Sequence, residues 1–285
     1  MRQRLLLCTD MDRTLLPNGH APETPGVRET FSSFIATHSV QLAYVTGRHL
    51  ALVLDAIEEY DLPVPDFVIT DVGTRIYQHR DKQWVEDIAW SNDIAKDWNG
   101  KTHAELKSLL SDIEGLQLQA EEKQNQHKLS YDVALELEVD AILAEIQTRL
   151  NALGVMASLV WSIDEITNIG LLDVLPRNAT KLHAVEFLSE KLGVPLNQVI
   201  YAGDSGNDLQ VMASEVPSVL VANSHDEVKV LADQQASEQG NRQALYLAQG
   251  VGLETNGNYA GGILEGVWHF MPQLRCELEA LLKEE

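Results

Sequence analysis

The chain has 285 residues, room for two domains at about 150 residues each, and its 45% hydrophobic and 22% charged content suffices for a full core. Its 43 acidic and 21 basic side chains give a net charge of −22, which excludes the basic footprint of a nucleic-acid or anionic-membrane binder. No apolar run suits a transmembrane helix, residues 1–4 carry no signal-peptide core, and Cys8 and Cys276 make no disulfide framework, so a reducing cytoplasm is expected.

The apolar run Leu5-Leu6-Leu7-Cys8-Thr9 reads as a buried parallel strand and ends in Asp10-Met11-Asp12-Arg13-Thr14. Ligand chemistry in open α/β sheets sits at the carboxyl ends of strands, which places Asp10 and Asp12 where a site belongs. An Asp-x-Asp there can equally be a turn or a helix cap, so its meaning depends on later strand ends. A Pro/Gly-rich loop covers 17–26, and residues 27–38 put Val27, Phe31, Phe34 and Ile35 at helical spacing. Residues 41–45 are a second strand, closed by Thr46-Gly47-Arg48. Residues 50–60 are a helix with Leu50, Leu54 and Ile57 as its apolar stripe, and 66–69 a third strand. Asp71-Val72-Gly73-Thr74 then leads into a hairpin over 75–78 and 83–86. Strand–helix alternation of this kind implies a parallel sheet with crossover helices.

From Trp84 the texture changes. Residues 87–113 read as two helices broken at Asn99-Gly100, 117–120 and 128–134 as strands, 139–153 as a helix, and 155–162 and 167–169 as strands. These groups lack the long apolar runs of a buried parallel sheet, which predicts a small α+β domain with one covered face, inserted at 82–170. The parallel-sheet domain, 1–81 and 171–285, then resumes with a strand at 171–175, a helix at 180–192 that begins near Lys181, and a strand at 198–202. The last of these ends in Gly203-Asp204-Ser205-Gly206-Asn207-Asp208. A helix at 209–214, a strand at 218–221 and a helix at 226–232 follow. The Gln/Gly/Asn-rich 233–258 reads as a long surface loop with one strand or helical turn, before an apolar helix at 259–270 and a charged one at 275–285.

Asp10 and Asp12, Thr46, Lys181, and Asp204 with Asp208 converge on one rim of such a sheet. Carboxylates are the ligands Mg²⁺ takes, substrate phosphate completing its shell. Thr46-Gly47 before a helix offers a hydroxyl and an amide to an anion, and Lys181 a point charge for phosphate or a carboxylate nucleophile. These parts suit a phosphoryl transfer in which Asp10 attacks phosphorus and Asp12 acts as acid and then base. The expected Mg²⁺ ligands are Asp10, Asp204 and the carbonyl of Asp12.

In that order, Asp-x-Asp-x-Thr, Thr-Gly-Arg, a lysine and Gly-Asp-Ser-Gly-Asn-Asp resemble the four motifs of the haloacid dehalogenase superfamily. The long interval between Thr46 and Lys181 is where its C2-type caps occur. Asp71-Val72-Gly73-Thr74-Arg75-Ile76-Tyr77, the Lys128-Leu129-Ser130 segment, Asp173-Val174-Leu175-Pro176, and Ala260-Gly261-Gly262-Ile263-Leu264 with His269-Phe270 are similar to segments of the sucrose-phosphate phosphatase group. Two positions depart from it: Arg13 stands where Gly or Asn is common, and Leu182 where Gly often follows the lysine.

The resemblance implies an α/β, Rossmann-like core with an inserted C2-type cap, and Mg²⁺-dependent hydrolysis of sucrose 6-phosphate through an aspartyl phosphate. Other glycoside phosphates, or a non-catalytic sugar-phosphate-binding partner of a glycosyltransferase, are the alternatives. It implies substrate contacts from Thr46, Gly47, Arg48, Lys181 and Asn207, support from Asp208, and cap contacts to the sugar from Asn125 and Lys128. A sucrose-phosphate-synthase-like glycosyltransferase is the implied partner. His127 and most of the tryptophans are expected to serve packing.

Overall fold

In a computed structural model, residues 4–37, 40–164 and 167–282 are described. The chain divides into two compact units, one of residues 1–70, 77–85 and 181–285 and the other of 71–76 and 86–180.

The first unit opens with strand β1 (Leu5–Thr9), helix α1 (Val27–Thr37), strand β2 (Val40–Val45), helix α2 (Leu50–Glu59) and strand β3 (Phe67–Thr70), and includes residues 77–85 of the hairpin β4 (Arg75–Arg80) and β5 (Gln83–Glu86). The expected end of α1 at His38 lies outside the described residues. Every residue of β1 is buried, as a central strand between two covered faces requires. Successive side chains alternate faces: Leu5 and Leu7 join Phe31 and Phe34 of α1 in one apolar cluster, while Leu6 and Cys8 are fully buried outside it. Cys8 is thus a small buried side chain whose thiol is pushed up by burial, and Cys276 is free and exposed. The apolar stripe of α2 differs from expectation. Val53 and Ala56 are buried, whereas Leu54 is exposed, because the helix turns its i, i+3 positions from Leu50 to the sheet.

The second unit carries α3 (Ile88–Ala95), α4 (His103–Leu110), β6 (Gln117–Leu118), β7 (Leu129–Val133), α5 (Val139–Ala152), β8 (Ala157–Asp164) and β9 (Ile169–Pro176). Asp87 accepts from the amides of Ala89 and Trp90 to start α3, and Asn99 and Gly100 take left-handed backbone where the helical run breaks. The strands form an antiparallel sheet in the order β6-β7-β9-β8, with Leu129, Tyr131, Val133, Leu172 and Val174 packed on Leu106, Leu110, Ile146 and Leu150 of the helices. One face is covered, as the alternating pattern requires.

The boundaries differ from the expected 82–170. Residues 171–175 do not resume the parallel sheet: β9 lies between β7 and β8, paired with both along its length. An antiparallel strand covered on one face reads in sequence much like a short buried one, so the run Leu171-Leu172-Asp173-Val174-Leu175 was ambiguous.

The first unit resumes with α6 (Lys181–Leu192), β10 (Val199–Gly203), α7 (Leu209–Met212), β11 (Ser218–Leu220), α8 (Asp226–Glu238), β12 (Leu245–Leu247), α9 (Ala260–Phe270) and α10 (Arg275–Leu281); the expected tail to Glu285 runs past the described residues. The sheet order is β12-β11-β10-β1-β2-β3-β4-β5, parallel from β12 to β3. Residues 233–258 are therefore more ordered than expected: α8 runs to Glu238 and β12 is an edge strand. The cause lies on α9. Glu265 is fully buried and accepts from the Tyr246 hydroxyl and the amides of Gln249, Gly250 and Val251, anchoring the segment after β12. Among the described residues, no helix is long and apolar enough to cross a membrane.

Candidate active site

The order β10-β1-β2 sets three strand ends side by side in the first unit. After β1, the Asp10 amide donates to the Ala202 carbonyl (2.9 Å), and the Met11 carbonyl gathers the amides of Thr14, Leu15 and Leu16 into a tight turn. Met11, Leu15 and Leu16 are buried beneath this turn, which leaves the acids to the rim.

Asp10 is buried; its Oδ1 accepts from the Met11 amide (2.8 Å) and its Oδ2 lies 3.1 Å from Lys181 Nζ. Lys181, the first residue of α6, also donates to Asp208 Oδ1 (2.8 Å) and Asn207 Oδ1 (2.9 Å). Asp208 has no spare acceptor: Oδ1 also takes the Tyr201 hydroxyl, and Oδ2 the amides of Asp204 and Ser205, each at 3.0 Å. Gly203 is obligatory here, since a Cβ would stand 2.5 Å from Asp208 Cγ.

Asp204 Oδ1 accepts from Thr14 Oγ1 (3.4 Å), and Oδ2 lies 3.2 Å from Arg13 Nε. Asp12 points to Arg48, which grips both its oxygens (Nε to Oδ2 2.8 Å, Nη2 to Oδ1 2.6 Å), while Asn18 donates to Oδ1 (2.7 Å). Thr46 is buried at the end of β2, its hydroxyl accepting from the Arg48 amide (3.2 Å). A cavity of about 320 Å³ is lined by Asp10, Asp12, Arg13, Thr46, Gly47, Arg48, Asp204 and Asn207, among others. Of the residues singled out in sequence, those of this unit thus share one place.

Their charges are unequal in environment. Burial pushes Asp10 up to about 7 against the pull of Lys181, with Asp208 and Asp204 adding repulsion. Burial and then Asp208 push Asp204 up to about 6, against Arg13 and Lys181. For Lys181, burial opposes the charge, but Asp10 and Asp208 outweigh it and hold the ammonium protonated well beyond neutrality. For Asp12, burial is overcome by the Arg48 guanidinium, which with Asn18 holds the carboxyl below its usual range.

Carboxyl oxygens of Asp10, Asp204 and Asp208 lie within 4.8 Å of one another. Asp208 is saturated by Lys181, Tyr201 and two amides, so it positions Lys181 and the Asp204 amide. Asp10 and Asp204 remain, two hard oxygen donors each paired with one side-chain cation yet still pushed up by burial, and they fit a divalent cation such as Mg²⁺. The Asp12 carboxylate is not a member of this cluster because Arg48 and Asn18 hold it.

A pH dependence follows. Asp10 and Asp204 bind protons more tightly folded than unfolded, so without metal the fold is favoured below the ordinary carboxylate value of 3.8 and that advantage is lost as pH rises through about 6 to 7. Metal-free protein is expected to lose melting temperature across this window, and saturating Mg²⁺ to remove most of the loss. Melting curves in EDTA and in Mg²⁺ check this; metal-free stability that climbs between those pH values would contradict it.

Tyr201, Arg13, Asn18 and Asn223 are additional to the expected residues. Tyr201 had a signal: strand alternation puts it on the same face as Gly203, toward which Asp208 packs. Asn18, five positions on, holds the amide of Arg13, and Asn223, 210 positions on, its carbonyl; neither had a signal.

Asn125 and Lys128 lie in the second unit, in a bridge closed by two backbone hydrogen bonds of 3.2 Å. Asn125 Nδ2 donates to Thr74 Oγ1 (2.9 Å) and its Oδ1 accepts from the His127 amide (2.8 Å), while Lys128 Nζ stands 3.5 Å from Asp173 Oδ2. His127 is buried edge-on to Trp98, a packing role, and Trp90 and Trp98 are core residues.

The family of sucrose-6F-phosphate phosphohydrolases matches residues 3–271. A Nitrosococcus oceani protein named only as a HAD-like hydrolase is 47% identical over 98% of this chain and 75% of its own length. The Arabidopsis thaliana protein named probable sucrose-phosphatase 3a is 32% identical over 79% of this chain, which spans about half (52%) of that relative. Mannosylfructose-phosphate phosphatase of Agrobacterium fabrum is 28% identical over 95% of this chain and 98% of its own. The sucrose-phosphatase of Synechocystis sp. PCC6803, solved with sucrose and phosphate, superposes with a TM-score of 0.71 at 25% identity, covering 95% of this chain and 98% of that one. With the motif order and the strand-end acids in place, this chain belongs to the sucrose-6F-phosphate phosphohydrolase family within the haloacid dehalogenase superfamily of phosphatases.

Proposed function

We propose that the protein hydrolyses sucrose 6-phosphate to sucrose and inorganic phosphate, with Mg²⁺ as cofactor and an aspartyl phosphate on Asp10 as intermediate. The observation that carries this reading is Asp10 itself: a buried carboxylate at a strand end, paired with Lys181 at 3.1 Å and opening on the same cavity as Asp12.

An Asp10 oxygen attacks phosphorus while the phosphorus–oxygen bond to the sugar breaks, and the leaving oxygen takes a proton from Asp12. Asp12, now a carboxylate, takes a proton from water; the water oxygen bonds phosphorus, the acyl phosphate bond breaks and phosphate leaves. Arg48 favours the ionised Asp12 that the second half needs, and for Asp12 to deliver a proton in the first half one of these two hydrogen bonds has to open. Lys181 orients Asp10 and favours its ionised form against burial, and Asp208, Tyr201 and Asn207 keep Lys181 in place. Thr46 and the Gly47 amide supply donors for phosphoryl oxygens. A cation on Asp10 and Asp204, with the Asp12 carbonyl as a further ligand, would offset the repulsion between Asp10 and an incoming dianion. Phosphate release is expected to vanish in EDTA and return with Mg²⁺; undiminished release in EDTA would refute the cofactor.

The sugar is read from the second unit, where Asn125 and Lys128 are the proposed contacts. A cavity of about 540 Å³ lined by Asn125 with Gln119, Gln124, Gln126 and His103 supports Asn125, since amides and imidazole hydrogen-bond hydroxyls, while Lys128 is not part of that lining. A second reading, another glycoside phosphate such as mannosylfructose phosphate, draws support from a relative named for that substrate at similar identity. A phosphate-release screen of sucrose 6-phosphate, mannosylfructose phosphate, glucosylglycerol phosphate and hexose phosphates decides between them. A kcat/KM for sucrose 6-phosphate about tenfold or more above the rest is the expected result. A glycosyltransferase that makes the phosphorylated sugar is the proposed partner.

A further inference from the structure

Of the three cationic side chains at this site, Lys181 and Arg48 are committed. Lys181 is 2% exposed between two carboxylates, and Arg48 grips Asp12 with two parallel hydrogen bonds. Arg13 differs in both respects. Its side chain is 47% exposed, its short ion pair is with Asp204 Oδ2, at 3.2 Å, and its charge also reaches Asp12 without a hydrogen bond. The other oxygen of Asp204 already accepts from Thr14. The oxygen that Arg13 holds is thus the one of the two that carries no hydrogen bond from Thr14.

The backbone beneath Arg13 is fixed while the end of the side chain is not. Arg13 takes left-handed backbone (φ 57°), its amide donates to Asn18 Oδ1 (2.8 Å), and its carbonyl accepts from Asn223 Nδ2 (2.6 Å). Asn223 in turn accepts from the Tyr259 amide (2.9 Å), and the Tyr259 hydroxyl donates to the Ala21 carbonyl (3.1 Å). Gly19 leaves room for the Tyr259 hydroxyl, from which a Cβ there would stand 2.8 Å. The guanidinium is thus delivered to Asp204 from a rigid base and can still rotate into solvent about its own flexible stem.

We propose that Arg13 is a built-in competitor for the divalent cation: it occupies Asp204 when the metal is absent and must be displaced when the metal binds. This rests on the reading that Asp10 and Asp204 hold the cation. Two effects oppose metal entry, the ion pair that must open and the repulsion between the guanidinium and a nearby dication. The same pair benefits the metal-free protein, since without it Asp204 would face Asp10 and Asp208 with only Lys181 in compensation. Arg13 therefore trades metal affinity for stability of the metal-free fold.

The test is Mg²⁺ titration by calorimetry on the full chain, with melting curves in EDTA and in saturating Mg²⁺, for the native protein, Arg13→Ala, Arg13→Lys and Asp204→Asn. Arg13→Ala is expected to bind Mg²⁺ about fivefold more tightly, the scale of one half-exposed ion pair. It should melt lower than the native protein in EDTA and level with it in Mg²⁺, with Arg13→Lys in between. Unchanged or weaker Mg²⁺ binding by Arg13→Ala would overturn the proposal, as would an equal melting loss with and without metal, the signature of a merely structural arginine. Asp204→Asn separates this from failure of the metal site: if it binds Mg²⁺ as tightly as the native protein, the assignment of Asp204 falls, and the proposal with it.

Discussion

Asp10→Asn is expected to lower kcat by about four orders of magnitude or more while leaving the fold intact. The amide is nearly isosteric with the carboxylate but cannot form an acyl phosphate, so the covalent route closes. Folding should survive because the substitution removes one of two buried acids that share Lys181, and Asp208 still pairs with the ammonium at 2.8 Å. The Asp10 charge is also disfavoured by its surroundings, burial pushing it up to about 7. Steady-state phosphate release with a circular-dichroism melt measures both parts. Activity near that of the native protein would remove Asp10 from the role of nucleophile.

Lys181→Met should be the most damaging substitution for stability as well as for turnover. It leaves Asp10 and Asp208 in the interior without their shared cation, and breaking a buried pair of this kind typically costs about 3–5 kcal/mol. In a chain of this size that is a melting-temperature loss on the order of 10 °C. The pH dependence has a definite sign. With the cation gone, the Asp10 carboxyl, already pushed up by burial, binds its proton still more tightly in the fold, so its contribution is present at low pH and lost as pH rises. The deficit against the native protein is therefore expected to shrink toward pH 5 and widen toward pH 8, in EDTA-treated samples followed by calorimetry. A variant that melts within about 2 °C of the native protein across that range would show that Lys181 does not neutralise the pair. Should it fail to fold, Asn207→Ala, which removes one acceptor from Lys181 without stranding a charge, is expected to lower kcat with a melting loss of only about 1 kcal/mol.

The strand-end acids were legible because buried parallel strands write themselves as apolar runs, and the residue that follows each run marks the rim. Leu5–Thr9 into Asp10, Val40–Val45 into Thr46 and Val199–Gly203 into Asp204 all obey this. The strand Ile169–Pro176 did not, because an apolar run carries no record of which sheet it joins; pairing with Leu129–Val133 and Ala157–Asp164 decides that. The order in 233–258 was hidden for a related reason. Its anchor, Glu265, reads in sequence as an ordinary helix acid, and only the fold shows it bound by three backbone amides.

By itself the sequence determined the class of the fold, since this follows from hydrophobic period, and motif order pointed to an inserted domain and to Asp10, Asp12, Thr46, Lys181, Asp204 and Asp208 as candidates for one rim, with Arg13 absent from that set. Which cation serves which acid was decided by the tertiary structure alone. Lys181 pairs with Asp10 and Asp208, Arg48 with Asp12, and Arg13 with Asp204. Partners such as Thr14 and Asp204, 190 positions apart, meet because β1 lies beside β10, and no local pattern encodes that adjacency. Charge pairing at close range depends on distances of a few ångströms, and those are set by strand order and loop anchoring, not by residue type.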